Sequence, residues 1–169
     1  MVSIQKYHVP NPNYYGCNPN KYSIFDKVQV SESVFSEYGL DIENTILKTY
    51  DEFLTYFNNL KESIENADSN SYIKETWLKI ISDYIESYKK EFFDENILIL
   101  TESIFSPVCN EILEVIDVCL PISNELYIFV KITHPALGLT MVKNTVFEII
   151  IPKDVFLENE NIDIIHLIY

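Results

Sequence analysis

The residues best suited to acid–base or metal chemistry are three histidines: His8, His134 and His166. They lie far apart in the chain, and no His, Cys or acid stands beside them at the spacing of a zinc site. Only His134, in a proline-containing loop, is a candidate general base, and the sequence names no partner group for it. The histidines therefore predict no metal site.

Two adjacent pairs of acids, Asp51/Glu52 and Asp94/Glu95, have the residue type that glycoside hydrolysis requires. Adjacent acids near helix ends are far more often solvated surface charges. The chain also holds three cysteines without CxxC spacing, which favours buried thiols over a disulfide framework. They are Cys17, Cys109 and Cys119.

Nucleophile and phosphate motifs are absent from the sequence: there is no GxSxG, no Walker loop and no GxGxxG, and the chain has three glycines. We therefore predict a non-enzymatic protein with no catalytic, cofactor-binding or metal-binding residue and no cofactor.

The charge of the chain is strongly negative. The formal net charge is −14, and every basic residue is a lysine. Residues 1–60 sum to −3 (4 Lys, 7 acids), 61–106 to −5 (5 Lys, 10 acids) and 107–169 to −6 (3 Lys, 9 acids). Nucleic acids are bound through a basic face, so we predict no nucleic-acid binding. The acidic charge either attracts a basic protein or serves solubility.

The first residues lack the apolar region of a signal peptide, and no later stretch is long enough to span a bilayer. The expectation is a cytoplasmic protein without a membrane span. It becomes an extracellular or lipid-anchored protein if a signal peptide was removed ahead of Met1.

Periodicity predicts an α+β fold in one domain covering residues 1–169, with two helices packed on one face of a mostly antiparallel sheet of four to six strands. Residues 1–24 read as an irregular arm rich in Pro, Asn and Tyr, residues 49–92 as a helical pair and residues 96–169 as the sheet.

The first helix is predicted to begin at a capping box formed by Thr49 and Glu52. The second is predicted to begin near 68–71 and to present one broad apolar face. The principal sheet strands are predicted at 97–100, 108–120, 125–133 and 145–151, and the run 162–169 is predicted to add an edge strand or to close over the sheet.

The segment Tyr88-Lys89-Lys90-Glu91-Phe92-Phe93 followed by a hydrophobic strand resembles a junction in bacterial proteins related to the protease complex subunit PrcB. The start of the first helix at Thr49 and the ending Phe147-Glu148-Ile149-Ile150-Ile151-Pro152-Lys153 fit the same layout, so the resemblance covers residues 45–155. The chain departs from the layout at 103–107 and 138–142. The resemblance implies an often exported or lipid-anchored protein that acts by binding, for instance by holding a protease complex together.

Three functional hypotheses follow. The first is a bacterial or phage accessory domain that binds another protein. The second is an acidic inhibitor or immunity-type protein that covers a basic target, and the third is a small enzyme or a carrier of an apolar ligand. For the first, the predicted contacts lie in two loops, while the partner's identity and the oligomeric state stay open. The predicted contact residues are Ser103, Phe105, Pro107, His134, Leu137 and Met141.

Overall fold

The computed structural model describes residues 7–8, 19–106, 112–120, 125–133, 143–156 and 163–168. The described helices are α1 (Pro19–Tyr22), α2 (Val34–Glu37), α3 (Tyr50–Asn66), α4 (Ser71–Ser87) and α5 (Phe92–Glu95). The described strands are β1 (Tyr7–His8), β2 (Gln29–Glu32), β3 (Thr45–Leu47), β4 (Asn96–Leu100), β5 (Ile104–Ser106), β6 (Ile112–Cys119), β7 (Glu125–Thr133), β8 (Lys143–Thr145), β9 (Phe147–Pro152) and β10 (Asp163–Ile168).

The central sheet has four strands in the order β2-β9-β4-β3, and all its pairs are antiparallel. The two long helices, α3 and α4, cover one of its faces. The predicted α+β class, with two helices on one face of an antiparallel sheet, is therefore confirmed.

The other long strands were predicted to belong to the same sheet, but they form a separate outer sheet in the order β1-β10-β7-β6. β6 and β7 are antiparallel, whereas β10 runs parallel to both β7 and β1. The parallel pairing is allowed because β8 and β9 lie between β7 and β10 in the chain, which gives the crossover enough length. β10 is thus an internal strand, so the first of the two predicted alternatives for this run, an edge strand, is wrong. β5 and β8 form a separate antiparallel pair.

The division into two sheets follows from the composition of the central strands. On β4, Leu98 and Leu100 contribute to the core beneath the helices, whereas Ile97 and Ile99 contribute to the core shared with the outer sheet. A strand that is apolar on both faces needs a covering layer on each side. The fold is accordingly built in three layers: helices, central sheet and outer sheet.

The helical layer forms where the sequence predicts it. The Thr49 hydroxyl accepts a hydrogen bond from the Glu52 amide at 3.1 Å, and the Glu52 carboxylate accepts one from the Thr49 amide at 3.1 Å, which completes the predicted capping box of α3. Asn70 caps α4 by accepting from the Tyr72 amide at 2.9 Å, within the predicted starting region. Phe53 lies on the inner side of α3 and is fully buried.

Several expectations concern the ends of the chain and the thiols. Within the predicted irregular arm, the described residues form a short strand (Tyr7–His8) and one helical turn (Pro19–Tyr22). Cys119 is buried, as predicted, while Cys17 and Cys109 lie outside the described residues. In the described ranges, none of the helices has the length and apolarity needed to cross a membrane. The domain limits stay a prediction.

Candidate functional site

The predicted contact residues are only partly covered by the described structure. Ser103 is 4% exposed. Its hydroxyl accepts a hydrogen bond from the Ile42 amide at 3.0 Å, and its amide donates to the Ile42 carbonyl at 3.0 Å. Phe105 is the central residue of β5. Four of the predicted residues fall outside the described ranges: Pro107, His134, Leu137 and Met141.

Ser103 belongs to a short buried polar segment that follows β4. Within this segment the Thr101 hydroxyl accepts from the Phe147 amide at 2.8 Å, and the Glu102 amide donates to the Asn44 side-chain oxygen at 2.7 Å. Together with the bonds of Ser103, these contacts fix residues 42–44 to the end of β4. The segment therefore positions the chain that runs along the surface just before it, residues 34–41.

Side-chain hydrogen bonds fix residues 34–41 in place at both ends of α2. The Ser33 side chain caps the helix by accepting from the Phe35 amide. The Ser36 hydroxyl accepts from the Val146 amide at 2.8 Å and donates to the Val146 carbonyl at 3.2 Å, which fastens α2 next to the start of β9. After the helix, Gly39 adopts a φ of 62°, a left-handed conformation that lets the chain reverse.

Exposed apolar side chains occur on both α2 and α4, which are joined on this side of the molecule by a hydrogen bond. Val34 and Tyr38 are 37% and 44% exposed and are four residues apart, so they occupy the same side of α2 and its C-cap. The Trp77 indole of α4 donates to the Tyr38 carbonyl at 3.0 Å. Ile73, one turn before Trp77 on the same stripe of α4, is 42% exposed.

We call the surface formed by Val34, Tyr38 and Ile73, with the neighbouring acids Glu37 and Asp41, the Tyr38 face.

Residues 28–47 contain four acids and no lysine. All four acidic side chains are exposed: Glu32, Glu37, Asp41 and Glu43. This charge also affects the pKa of Tyr56, a residue of α3. Burial is the main reason that the pKa of the Tyr56 phenol is raised, and the negative charges of Glu43 and Asp41 add to the increase. Two of the three apolar residues of the Tyr38 face, Val34 and Tyr38, thus lie inside a surface segment of uniformly negative charge, whereas Ile73 lies on α4 beside Lys74.

A second cluster of polar groups lies between α4 and the central sheet. One carboxylate oxygen of Glu148, on β9, accepts a hydrogen bond from the Tyr84 hydroxyl, and the other accepts one from the Tyr88 hydroxyl at 2.6 Å. Burial, followed by the negative charge of Glu148, raises the pKa of both phenols well above the ordinary value for tyrosine. Because both carboxylate oxygens are engaged by neutral donors, the cluster is suited to attaching α4 to the sheet.

A cavity of about 210 Å³ opens beside the start of α3. Tyr50 and Phe93 form part of its wall, and its charged lining residues are two lysines and two aspartates. Those charges sum to zero, so the cavity has no net charge with which to select an ionic ligand. Its lining consists of Thr49, Tyr50, Asp51, Lys90, Phe93, Asp94 and Lys153.

The histidines and acids can also be placed. β1 and β10 are neighbouring parallel strands, so His8 and His166 lie in adjacent strands although they are 158 positions apart in the chain. Within the described ranges, no three His, Cys, Asp or Glu residues come together in a way that would hold a metal ion.

Comparison of the chain with protein-family models, curated proteins and solved structures gives no match. The likeness to PrcB-related proteins therefore stays a prediction, and the residues themselves carry the functional argument.

Sequence reasoning missed both the Tyr38 face and the Glu148 cluster. A signal for the face was present, because residues 28–47 combine four acids with no lysine. The cluster had no comparable signal: Tyr84 and Tyr88 lie on the apolar face of α4 and its C-terminal end, and only the tertiary structure shows that they meet Glu148.

Proposed function

We propose that the protein acts by binding a basic partner protein and that the Tyr38 face is its contact surface. The observation that carries this proposal is the position of two exposed apolar side chains, Val34 and Tyr38, within a segment that has acids but no lysine. The exposed Ile73 lies on α4, which a hydrogen bond from Trp77 joins to the Tyr38 carbonyl. Protein interfaces commonly combine an apolar centre containing aromatic residues with a charged rim. The Tyr38 face has both parts.

The charge determines the class of partner. An acidic rim favours a partner with Lys or Arg around an apolar centre, and it accelerates the association of such a partner. The net charge of −14 acts in the same direction over a longer range. A second copy of the chain carries the same charge, which opposes self-association through this surface.

Two of the functional hypotheses share this mode of action. A complex subunit and an acidic inhibitor both act by binding, and the resemblance to PrcB-related proteins also implies binding. The acidic surroundings of Glu37 and Asp41 favour the inhibitor type, in which the surface covers a basic target.

The proposal is tested by affinity capture from a lysate of the source cells, using three forms of the immobilised protein in parallel. The first is the wild type, and the second carries Tyr38→Ser and Ile73→Ser. The third is a matched control with Tyr72→Ser. Tyr72 is 75% exposed on α4 and adjacent to Ile73 in sequence, so it points about 100° around the helix from the Tyr38 face.

We expect a basic protein to be retained by the wild type and by the control, and to be lost from the double variant. High salt should weaken its retention, because screening reduces the contribution of the acids. A protein retained equally by all three forms would contradict the assignment to the Tyr38 face. A retained protein that is acidic would contradict the proposed class of partner.

A further inference from the structure

β6 is an edge strand of the outer sheet, and half of its outer edge has no pairing partner among the described residues. β7 pairs with β6 from Ile112 to Cys119 on one side. On the other side, the segment Tyr22–Ile24 covers only the C-terminal part: the Ile24 amide donates to the Val118 carbonyl at 2.8 Å, and the Leu120 amide donates to the Tyr22 carbonyl at 3.1 Å. Among the described residues, no strand pairs with the outer edge of 112–116.

The side chains of this open stretch are unusual for an edge strand. Ile112 is 64% exposed and Ile116 is 42% exposed, with the exposed carboxylate of Glu114 between them. The intervening Leu113 and Val115 point into the core. Proteins generally protect open edges with short strands, charges or bulges, because an apolar edge is a template for pairing with another chain. Glu114 supplies such a charge here and the register shift after Val115 such a bulge, yet two large apolar residues remain exposed beside them.

The stretch has a defined end. The register of β6 against β7 shifts between Val115 and Asp117, and the Ser23 hydroxyl donates to the Asp117 carboxylate at 2.5 Å. An added strand can therefore pair only as far as this point, which limits the open template to Ile112–Ile116.

The charge selects the occupant. If two copies of the chain paired antiparallel about Glu114, the two Glu114 carboxylates would face each other, and each copy carries a net charge of −14. A segment with Lys or Arg at that position has the opposite sign. Lys131 lies opposite Glu114 on β7, which is on the other side of β6 from the incoming segment.

We propose that Ile112–Ile116 is a second binding site, which accepts an extended segment of a partner protein by strand addition. The segment carries a cationic side chain opposite Glu114 and apolar side chains opposite Ile112 and Ile116. Backbone hydrogen bonds supply the pairing, and the alternate side chains supply the selectivity.

The test uses the whole protein and three synthetic peptides. The first peptide is acetylated Thr-Ile-Thr-Lys-Thr-Ile-Thr, the second has Glu in place of the central Lys, and the third is the Lys peptide with alternate backbone nitrogens methylated so that it cannot pair as a strand. Binding is followed by the backbone amide resonances of the protein, which report the site as well as the affinity.

We expect the Lys peptide to bind at least about tenfold more tightly than the other two and to shift the amides of residues 112–116. The variant Glu114→Lys should invert the preference between the Lys and Glu peptides. The matched control Glu75→Lys, which changes an exposed acid on α4 by the same charge, should not.

Three results would overturn this proposal. The first is equal binding by the methylated peptide, which would show attraction to the general negative charge instead of strand pairing. The second is an unchanged preference in Glu114→Lys. The third is a dimer of the wild-type protein in sedimentation that an excess of the Lys peptide dissociates, which would make a second copy the occupant of the same edge. The Tyr38→Ser and Ile73→Ser variant should bind the Lys peptide normally, so failure here is distinguishable from failure of the Tyr38 face.

Discussion

Removal of the Tyr84 hydroxyl tests how the helical layer is attached to the central sheet. The variant Tyr84→Phe keeps the ring, which lies 5.1 Å from the Phe57 ring between centroids, and removes the hydrogen bond to Glu148. A hydrogen bond to a charged group contributes about 1.5–3 kcal/mol. Glu148 is only partly buried and keeps the bond from Tyr88, so we expect the lower part of this range, a loss of about 1.5–2 kcal/mol in the free energy of unfolding.

The assay is urea unfolding at neutral pH, followed by the fluorescence of Trp77, the only tryptophan in the chain. Tyr72→Phe is the matched control, because that side chain is 75% exposed, and it should change the stability by less than about 0.5 kcal/mol. In a Glu148→Leu background the Tyr84 hydroxyl has lost its charged acceptor and keeps only its neutral neighbour Tyr88, so the cost of Tyr84→Phe should fall to about 1 kcal/mol or less. The reasoning is refuted if Tyr84→Phe matches the wild type, or if its cost is the same in both backgrounds.

Three further predictions concern the same unfolding measurement. The free energy of unfolding should fall above about pH 10, because tyrosines ionise there in the unfolded chain while Tyr84 and Tyr88, whose pKa values are raised, retain their protons in the folded protein. Each of the two tyrosines should contribute a slope of about 1.4 kcal/mol per pH unit. A slope that Tyr84→Phe leaves unchanged would contradict this. Gly39→Ala should lower the free energy of unfolding by about 1 kcal/mol because φ is +62°, although nothing lies within 4 Å of an added Cβ. Gly39→Asn should lower it by less, because asparagine adopts the left-handed conformation more readily. Equal losses would argue against the conformational cause. Thr49→Ala should cost about 1 kcal/mol through loss of the capping box, whereas Thr49→Ser should keep most of the stability; an equally large loss in the serine variant would assign the effect to another contact.

The features that the sequence predicts well are local. The capping box of α3 depends on residues three positions apart, and β7 was predicted at its observed bounds, Glu125–Thr133, because its apolar run ends at clear turn residues. Local hydrogen bonds and propensities decide such features, so a single stretch of chain contains the necessary information.

The separation of the strands into two sheets is a non-local property. The apolar run of β4 indicates burial on both faces, yet it does not say that β6 and β7 supply the second layer. The same limit applies to the Tyr38 face. Its acids are visible in the sequence, but the contact between Trp77 and the Tyr38 carbonyl joins residues 39 positions apart.

The most direct test of the proposed function compares two tyrosine substitutions in one binding measurement. The affinity of the captured basic protein is measured by titration calorimetry for the wild type, Tyr38→Ser and Tyr72→Ser. Tyr72 is the more exposed of the two, at 75% against 44%, so exposure alone would give it the larger effect. The proposed contact surface predicts the reverse: Tyr38→Ser should weaken binding by about tenfold or more, and Tyr72→Ser should leave it unchanged. Equal affinities for all three proteins, or a loss confined to Tyr72→Ser, would contradict the assignment of the Tyr38 face as the binding surface.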